Sequence, residues 1–192
     1  MSGELTHILR RAGRHLTWPY PLLYCPIGII RHGKRGYVFT RDHVIYISGY
    51  PRSGNTFAVK AFLQANPGVS IRSHRHIPTF LVVSVKRHCP GMVLLRNPLD
   101  AAVSWSIYMK EPLLHTIQYY EDYYSVVLPH RDRIFFVRFE DVIADFGKVT
   151  SAFNAHWGTD YKCFVNSKEN VALCMSKIDN DYRLKDGSIK ES

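Results

Sequence analysis

The stretch Tyr46–Phe57, YISGYPRSGNTF, runs from apolar and aromatic residues into a loop with two glycines and an arginine. Before the loop, HVIYISG is almost continuously apolar and β-branched, the pattern of a strand buried on both faces. After it, Phe57, Ala58, Ala61, Phe62 and Ala65 mark one face of a helix that stops at Asn66-Pro67-Gly68. Gly49 to Thr56 therefore forms a G-x-x-x-x-G-x-[ST] loop between a strand and a helix. Glycines there let the backbone curl, so that successive N–H groups converge on an anion at the helix N-terminus. Nucleotide-binding loops of this skeleton carry a lysine before the Ser/Thr, but here that position is Asn55. The cation stands three residues earlier, at Arg52. A lysine-and-magnesium clamp is disfavoured, and an anion held by backbone N–H groups and one arginine is expected.

Outward from the loop, strands and helices alternate. GYVFT, VSIRS, GMVLLR and RIFFVRF read as further strands. NPLDAAVSWSIYM opens a helix with Asn97 as N-cap, Pro98 at the first position and Asp100 in the first turn. A tyrosine-rich helix is expected over Leu113–Leu128, and another over Glu140–Trp157. This alternation predicts an α/β fold in three layers, a parallel sheet with helices on both faces. Functional residues should then sit at the carboxyl ends of the strands.

The chain has 192 residues, 46% of them hydrophobic, which suits one domain over 1–192 with its motif-bearing core at about 43–157. A formal charge of +9 points to anionic partners. Its modest clustering (Arg10, Arg11, Arg14, then Arg31 to Arg35) suits a phosphorylated ligand at least as well as nucleic acid, for which no motif is present. Cys25, Cys89, Cys163 and Cys174 form no C-x-x-C pair, so reduced thiols are expected. With no N-x-[ST] acceptor, a cytoplasmic location is the expectation. The apolar segment Leu16–Ile30 is broken by prolines and reads as an irregular arm packed on the domain, too short to span a bilayer.

A second motif, LLRNPLDAAVS, places Arg96 at the end of a strand and Ser104 two turns into the next helix. An arginine there can hold a phosphate bidentately and the serine can donate a hydroxyl hydrogen bond. Two anion sites at strand ends of one sheet suit a ligand with two separate phosphate groups. YPRSGNTF followed by RNPLDAAVS resembles the sulfotransferase family that uses 3′-phosphoadenosine 5′-phosphosulfate (PAPS). That family carries Y-P-[KR]-S-G-[NTS]-T-[FW], then H-[LI]-P, matched by RHIP, then R-x-P-x-x-x-x-x-S, and F-x-x-[YF]-E-D-[LVM], matched by FFVRFEDV. The resemblance covers roughly Tyr46 to Asp145.

It implies a P-loop-like sulfotransferase fold and sulfuryl transfer from PAPS, without a metal, to a hydroxyl or amine acceptor, either a small molecule or a glycan. Backbone N–H groups around Ser53, Gly54, Asn55 and Thr56 would hold the 5′-phosphosulfate, and Arg96 with Ser104 the 3′-phosphate. Phe57 occupies the family's adenine-stacking position, although its spacing suits a core residue equally. Arg52 would stabilise charge on the leaving phosphate. His76 matches the general base, and His74 falls where relatives place an assisting basic residue. His74, His76, His88 and Cys89 complete no standard zinc spacing. Glu140 and Asp141 read as helix-capping acids. The C-terminal DYRLKDGSIKES only faintly echoes the family's basic nucleotide-closing segment, and the family's C-terminal dimer motif is not visible. The alternatives are a P-loop kinase or NTPase and a non-catalytic PAP- or PAPS-binding protein.

Overall fold

The structure, a computed structural model, describes residues 2–33, 45–73 and 76–182. In chain order its elements are α1 (Ser2–Thr17), α2 (Pro21–His32), β1 (Ile45–Gly49), α3 (Asn55–Ala65), β2 (Ile71–Arg72), α4 (Thr79–Lys86), β3 (Gly91–Leu95), α5 (Pro98–Met109), α6 (Leu113–Val127), β4 (Phe135–Arg138), α7 (Phe139–Ala144), α8 (Phe146–Trp157) and α9 (Lys168–Tyr182), with a 3-10 turn at Leu128–Arg133. GYVFT lies outside the described residues, as does the C-terminal segment from residue 183.

The four strands form one parallel sheet in the order β2-β1-β3-β4. Period-two alternation divides its side chains between two cores. Ile45, Ile47, Met92, Leu94 and Val137 face α3, α8 and α9, where Phe62, Phe146 and Phe153 are fully buried. Tyr46 and Val93 face the other way, toward Phe80 of α4 and Tyr123 of α6, with Trp18 and Tyr24 beyond. Helices on both faces make the expected three layers. The chain steps from β1 outward to β2, then crosses back to β3 on the other side of β1. That reversal opens a crevice at the carboxyl ends of β1 and β3, where α/β sheets bind ligands.

Two expectations are corrected. The segment 16–30 is not irregular: it ends α1 and forms most of α2. Pro21 sits at the start of α2, where its missing N–H costs nothing, and only Pro26 interrupts the ladder. Burial of Tyr24 and Cys25 against the core offsets that single loss. The helix expected over Glu140–Trp157 is two helices, because Asp145 is extended (φ −160°, ψ 92°) and caps α8 by accepting from the Lys148 N–H at 3.1 Å. α4, α9 and the part of α1 before Leu16 have no counterpart among the expected elements. Thr79 to Val85 are all buried, so α4 has no polar stripe to reveal its period. No helix among the described residues is long and apolar enough to cross a membrane.

Phe62 is fully buried and meets the Tyr161 ring edge-on at 5.0 Å. Phe62→Ala should lower stability by about 3–5 kcal/mol. Leu99→Ala, at a position 55% exposed, should change it by less than about 0.5 kcal/mol. Urea denaturation of both variants, read as midpoint shifts at constant slope, checks the pair.

Candidate active site

The loop after β1 depends on its two glycines for different reasons. A Cβ on Gly49 would lie 2.5 Å from the Leu94 carbonyl oxygen, so only glycine lets β1 run this close to β3. Gly54 has φ +82° and forms the N-cap of α3, and a Cβ there would come within 2.9 Å of the Phe139 ring. No side chain caps this helix. The first bond of its ladder runs from the Ala58 N–H to the Gly54 carbonyl, so the N–H groups of the first turn point out of the helix end. They are the positive end of α3.

Two of the residues singled out in the sequence hold left-handed backbones: Arg52 at φ +65° and His76 at φ +44°. Side chains and carbonyls fix both. Arg96 Nη1 donates to the Arg52 carbonyl at 2.7 Å, and Arg52 Nε donates to Ser104 Oγ at 3.0 Å. The two sequence motifs, one after β1 and one after β3, are thus tied directly together. The Arg52 guanidinium lies 5.4 Å from the Tyr108 ring centre, and that of Arg96 lies 4.5 Å from Phe139. His76 Nδ1 is 2.9 Å from the Gly49 carbonyl oxygen. A carbonyl only accepts, so Nδ1 carries the hydrogen and Nε2 is the basic nitrogen of the neutral ring.

A cavity of about 620 Å³ opens over these groups. Arg52, Gly54, Asn55, Thr56, Phe57, His76 and Arg96, all singled out in the sequence, lie on its wall. Ser104 reaches it through Arg52. Ser53 does not line it: its side chain is fully buried, and its N–H donates to the Tyr50 carbonyl at 3.3 Å within the turn. His74 lies outside the described residues. Phe57 lines the cavity and also meets Phe146 and Phe164 edge-on at 6.4 and 6.3 Å. Glu140 and Asp141 sit in the first turn of α7, away from the cavity wall. Among the described residues lining the cavity there is no carboxylate, whereas two are arginines. The remaining wall is largely apolar and aromatic: Trp105 and Tyr108 of α5, Phe139 and Ile143 of α7, and Val171, Met175 and Ile178 of α9. Trp105 also lines a second cavity, of about 530 Å³, between α1, α5 and α6.

Residues that sequence reasoning missed support the site from behind. On α6 the Tyr119, Tyr120 and Tyr124 hydroxyls donate to the carbonyls of His76, Arg96 and Leu94 at 2.8, 2.9 and 2.7 Å. Tyr50 returns the favour to α6, donating its hydroxyl to the Thr116 carbonyl at 2.7 Å. Burial raises all four phenols above the ordinary tyrosine range, so they stay neutral donors. The helical tyrosine run signalled buried hydroxyls in need of partners, but nothing local identified the partners.

No protein-family model matches this sequence, and no curated protein does. Solved structures do match, among them mouse sulfotransferase SULT7A1 complexed with PAP. That match has a TM-score of 0.50 and 18% identity, covering 79% of this chain and 71% of the mouse chain. The likeness is one of fold, and the parallel sheet flanked by helices is sulfotransferase-like.

Tyr124 both donates to the Leu94 carbonyl and accepts from the Tyr50 N–H at 3.4 Å. Tyr124→Phe strands a buried carbonyl and should cost about 1–3 kcal/mol. Thermal and urea unfolding measure the loss; an unchanged stability would mean that another donor reaches Leu94.

Proposed function

We propose that this chain is a PAPS-dependent sulfotransferase, moving a sulfuryl group to a hydroxyl or amine of a small-molecule or glycan acceptor. The observation that carries this reading is the composition of the cavity wall. Two arginines and the N-terminus of α3 face a space with no carboxylate among the described residues that line it, at the switch point of the sheet. A volume of about 620 Å³ lies within the range of small-ligand pockets, and its aromatic walls suit a nucleobase. The residues fit a nucleotide with separate phosphate groups: first-turn N–H groups of α3 with Arg52 for one, Arg96 and Ser104, both tied to Arg52, for the other. The PAP named with the mouse structure agrees with this donor. A kinase would need a carboxylate to hold magnesium beside the phosphates, and the described wall supplies none.

In this reading PAPS supplies an activated sulfuryl group, its sulfur joined to phosphate through a bridging oxygen. The acceptor oxygen or nitrogen forms the new bond to sulfur as the bond to that bridging oxygen breaks. His76 Nε2 takes the acceptor's proton, its Nδ1–H bond to Gly49 having set the tautomer. Arg52 offsets the charge that grows on the departing phosphate, and its bond to Ser104 orients it beforehand. Trp105, common to both cavities, marks the side from which an acceptor can approach.

Calorimetric titration with PAP, compared with AMP, ADP and ATP with and without Mg²⁺, tests the donor site. PAP should bind independently of magnesium, and Arg96→Ala should weaken it by about tenfold or more. Preference for Mg-ATP would sink the proposal in favour of a kinase. His76→Asn should then cut turnover with an acceptor by about 10²–10⁴-fold while leaving PAP affinity nearly unchanged. Tight PAP binding with no turnover across an acceptor panel would indicate a non-catalytic binding protein.

A further inference from the structure

The first two helices face the wrong way for a soluble surface. α1 turns its polar side inward. His7 Nε2 lies 2.7 Å from Gln118 Oε1, Arg11 pairs with Glu121 at 2.7 Å and Asp122 at 3.1 Å, and Arg14 pairs with Asp122 at 2.8 Å. The Asp122 side chain is only 1% exposed, so these pairs fix the rotation of the helix: turning it would strand a buried carboxylate. On the opposite side Leu5, Ile8, Leu9 and Leu16, spaced along one helical stripe, are 59 to 67% exposed. α2 divides in the same manner. Tyr24, Cys25 and Gly28 are buried, while Leu22, Leu23, Ile27 and Ile30 point outward, Leu22 at 78% and Ile30 at 85% exposed. Both helices belong to one outer layer, α1 packing on α6, α2 on α4, and each on the other. Single exposed leucines need no explanation; two adjoining helices of them do.

We propose that α1 and α2 form a membrane-surface anchor, seating this stripe in the interfacial region of an anionic bilayer. Charge selects the occupant. Beyond Arg11 and Arg14, which pair inward, residues 1–35 hold four arginines and lysines against one glutamate, and Arg10 and Arg31 are exposed on the two helices that carry the stripe. A second copy would bring the same cations and the same +9 chain against themselves, whereas anionic headgroups complement them. Tyr20, 58% exposed at the turn between the helices, is a residue type that favours the interface. With 16 and 12 residues, neither helix reaches the length of a span, and amphipathic helices of this kind lie in the plane of the surface. The anchor is independent of what the cavity binds.

Flotation of the full chain with vesicles tests it, using phosphatidylcholine alone against phosphatidylcholine mixed with phosphatidylglycerol. The chain should float with the anionic vesicles and less as salt rises. The double variant Leu9→Asp/Leu22→Asp, at exposed positions, should lose flotation while keeping its circular dichroism and unfolding midpoint. Arg10→Glu/Arg31→Glu should weaken binding to anionic vesicles by about tenfold or more. Absence of flotation with either vesicle, or flotation indifferent to the aspartates, overturns the proposal. So does a dimer in sedimentation analysis that the same aspartates dissociate without any vesicle binding, which would make a second copy the occupant.

Discussion

Where a parallel ladder stops, the last carbonyls lose their partners, and a buried carbonyl left alone is costly. Here one helix supplies the missing donors. Tyr119, Tyr120 and Tyr124 reach from α6 to the carbonyls of His76, Arg96 and Leu94, at the ends of β3 and in the segment after β2. The spacing matters, because residues 119, 120 and 124 share one side of a helix and so act together. The position of α6 therefore sets where two chain segments stand relative to each other. Both segments carry groups on the cavity wall, so packing on one face of the sheet determines geometry at its edge.

The same bonds make a strained loop tenable. A non-glycine residue in the left-handed region costs about 1–3 kcal/mol, and both Arg52 and His76 are held there. A typical hydrogen bond returns about 1 kcal/mol net, so a single bond per residue would leave the balance open. Each has at least two. The Arg52 carbonyl accepts from Arg96 while its side chain donates to Ser104. The His76 carbonyl accepts from Tyr119 while Nδ1 donates to Gly49. Strain that is over-determined in this way becomes pre-organisation: the groups facing the cavity are in position before anything enters it.

Local periodicity explains what was legible in the sequence. β1, β3 and β4 announce themselves by apolar runs, and α5 by its Asn97 cap, whose side chain accepts from the Leu99 and Asp100 N–H groups. The glycine loop between strand and helix was readable for the same reason. What escaped was either non-local or non-periodic. α4 is buried all round and shows no stripe. α2 was obscured by Pro21, which the start of a helix tolerates, and by Pro26, whose lost bond is offset by burial of Tyr24 and Cys25. The bond from Arg96 to Arg52 joins residues 44 apart, and the tyrosine bonds of α6 reach back 24 to 43 residues, beyond any window of pattern. Ion pairs between α1 and Asp122 span more than a hundred residues, and they turn the apolar stripe of α1 outward.

The loop's departure from lysine-bearing nucleotide-binding loops then has a physical reason. Asn55 stands where a lysine would carry charge to phosphates, but its amide turns inward. Nδ2 donates to the Tyr50 carbonyl at 2.8 Å and the Gly49 carbonyl at 3.5 Å, and the residue is only 3% exposed. A lysine could not fill that place without burying an ammonium. The position thus closes the loop on itself, and the charge is displaced to Arg52, whose left-handed backbone directs its side chain toward Ser104 and the cavity. Closing the turn and carrying the charge are separate tasks in this loop, and separating them requires both the strain at Arg52 and Arg96, just after β3, which holds it.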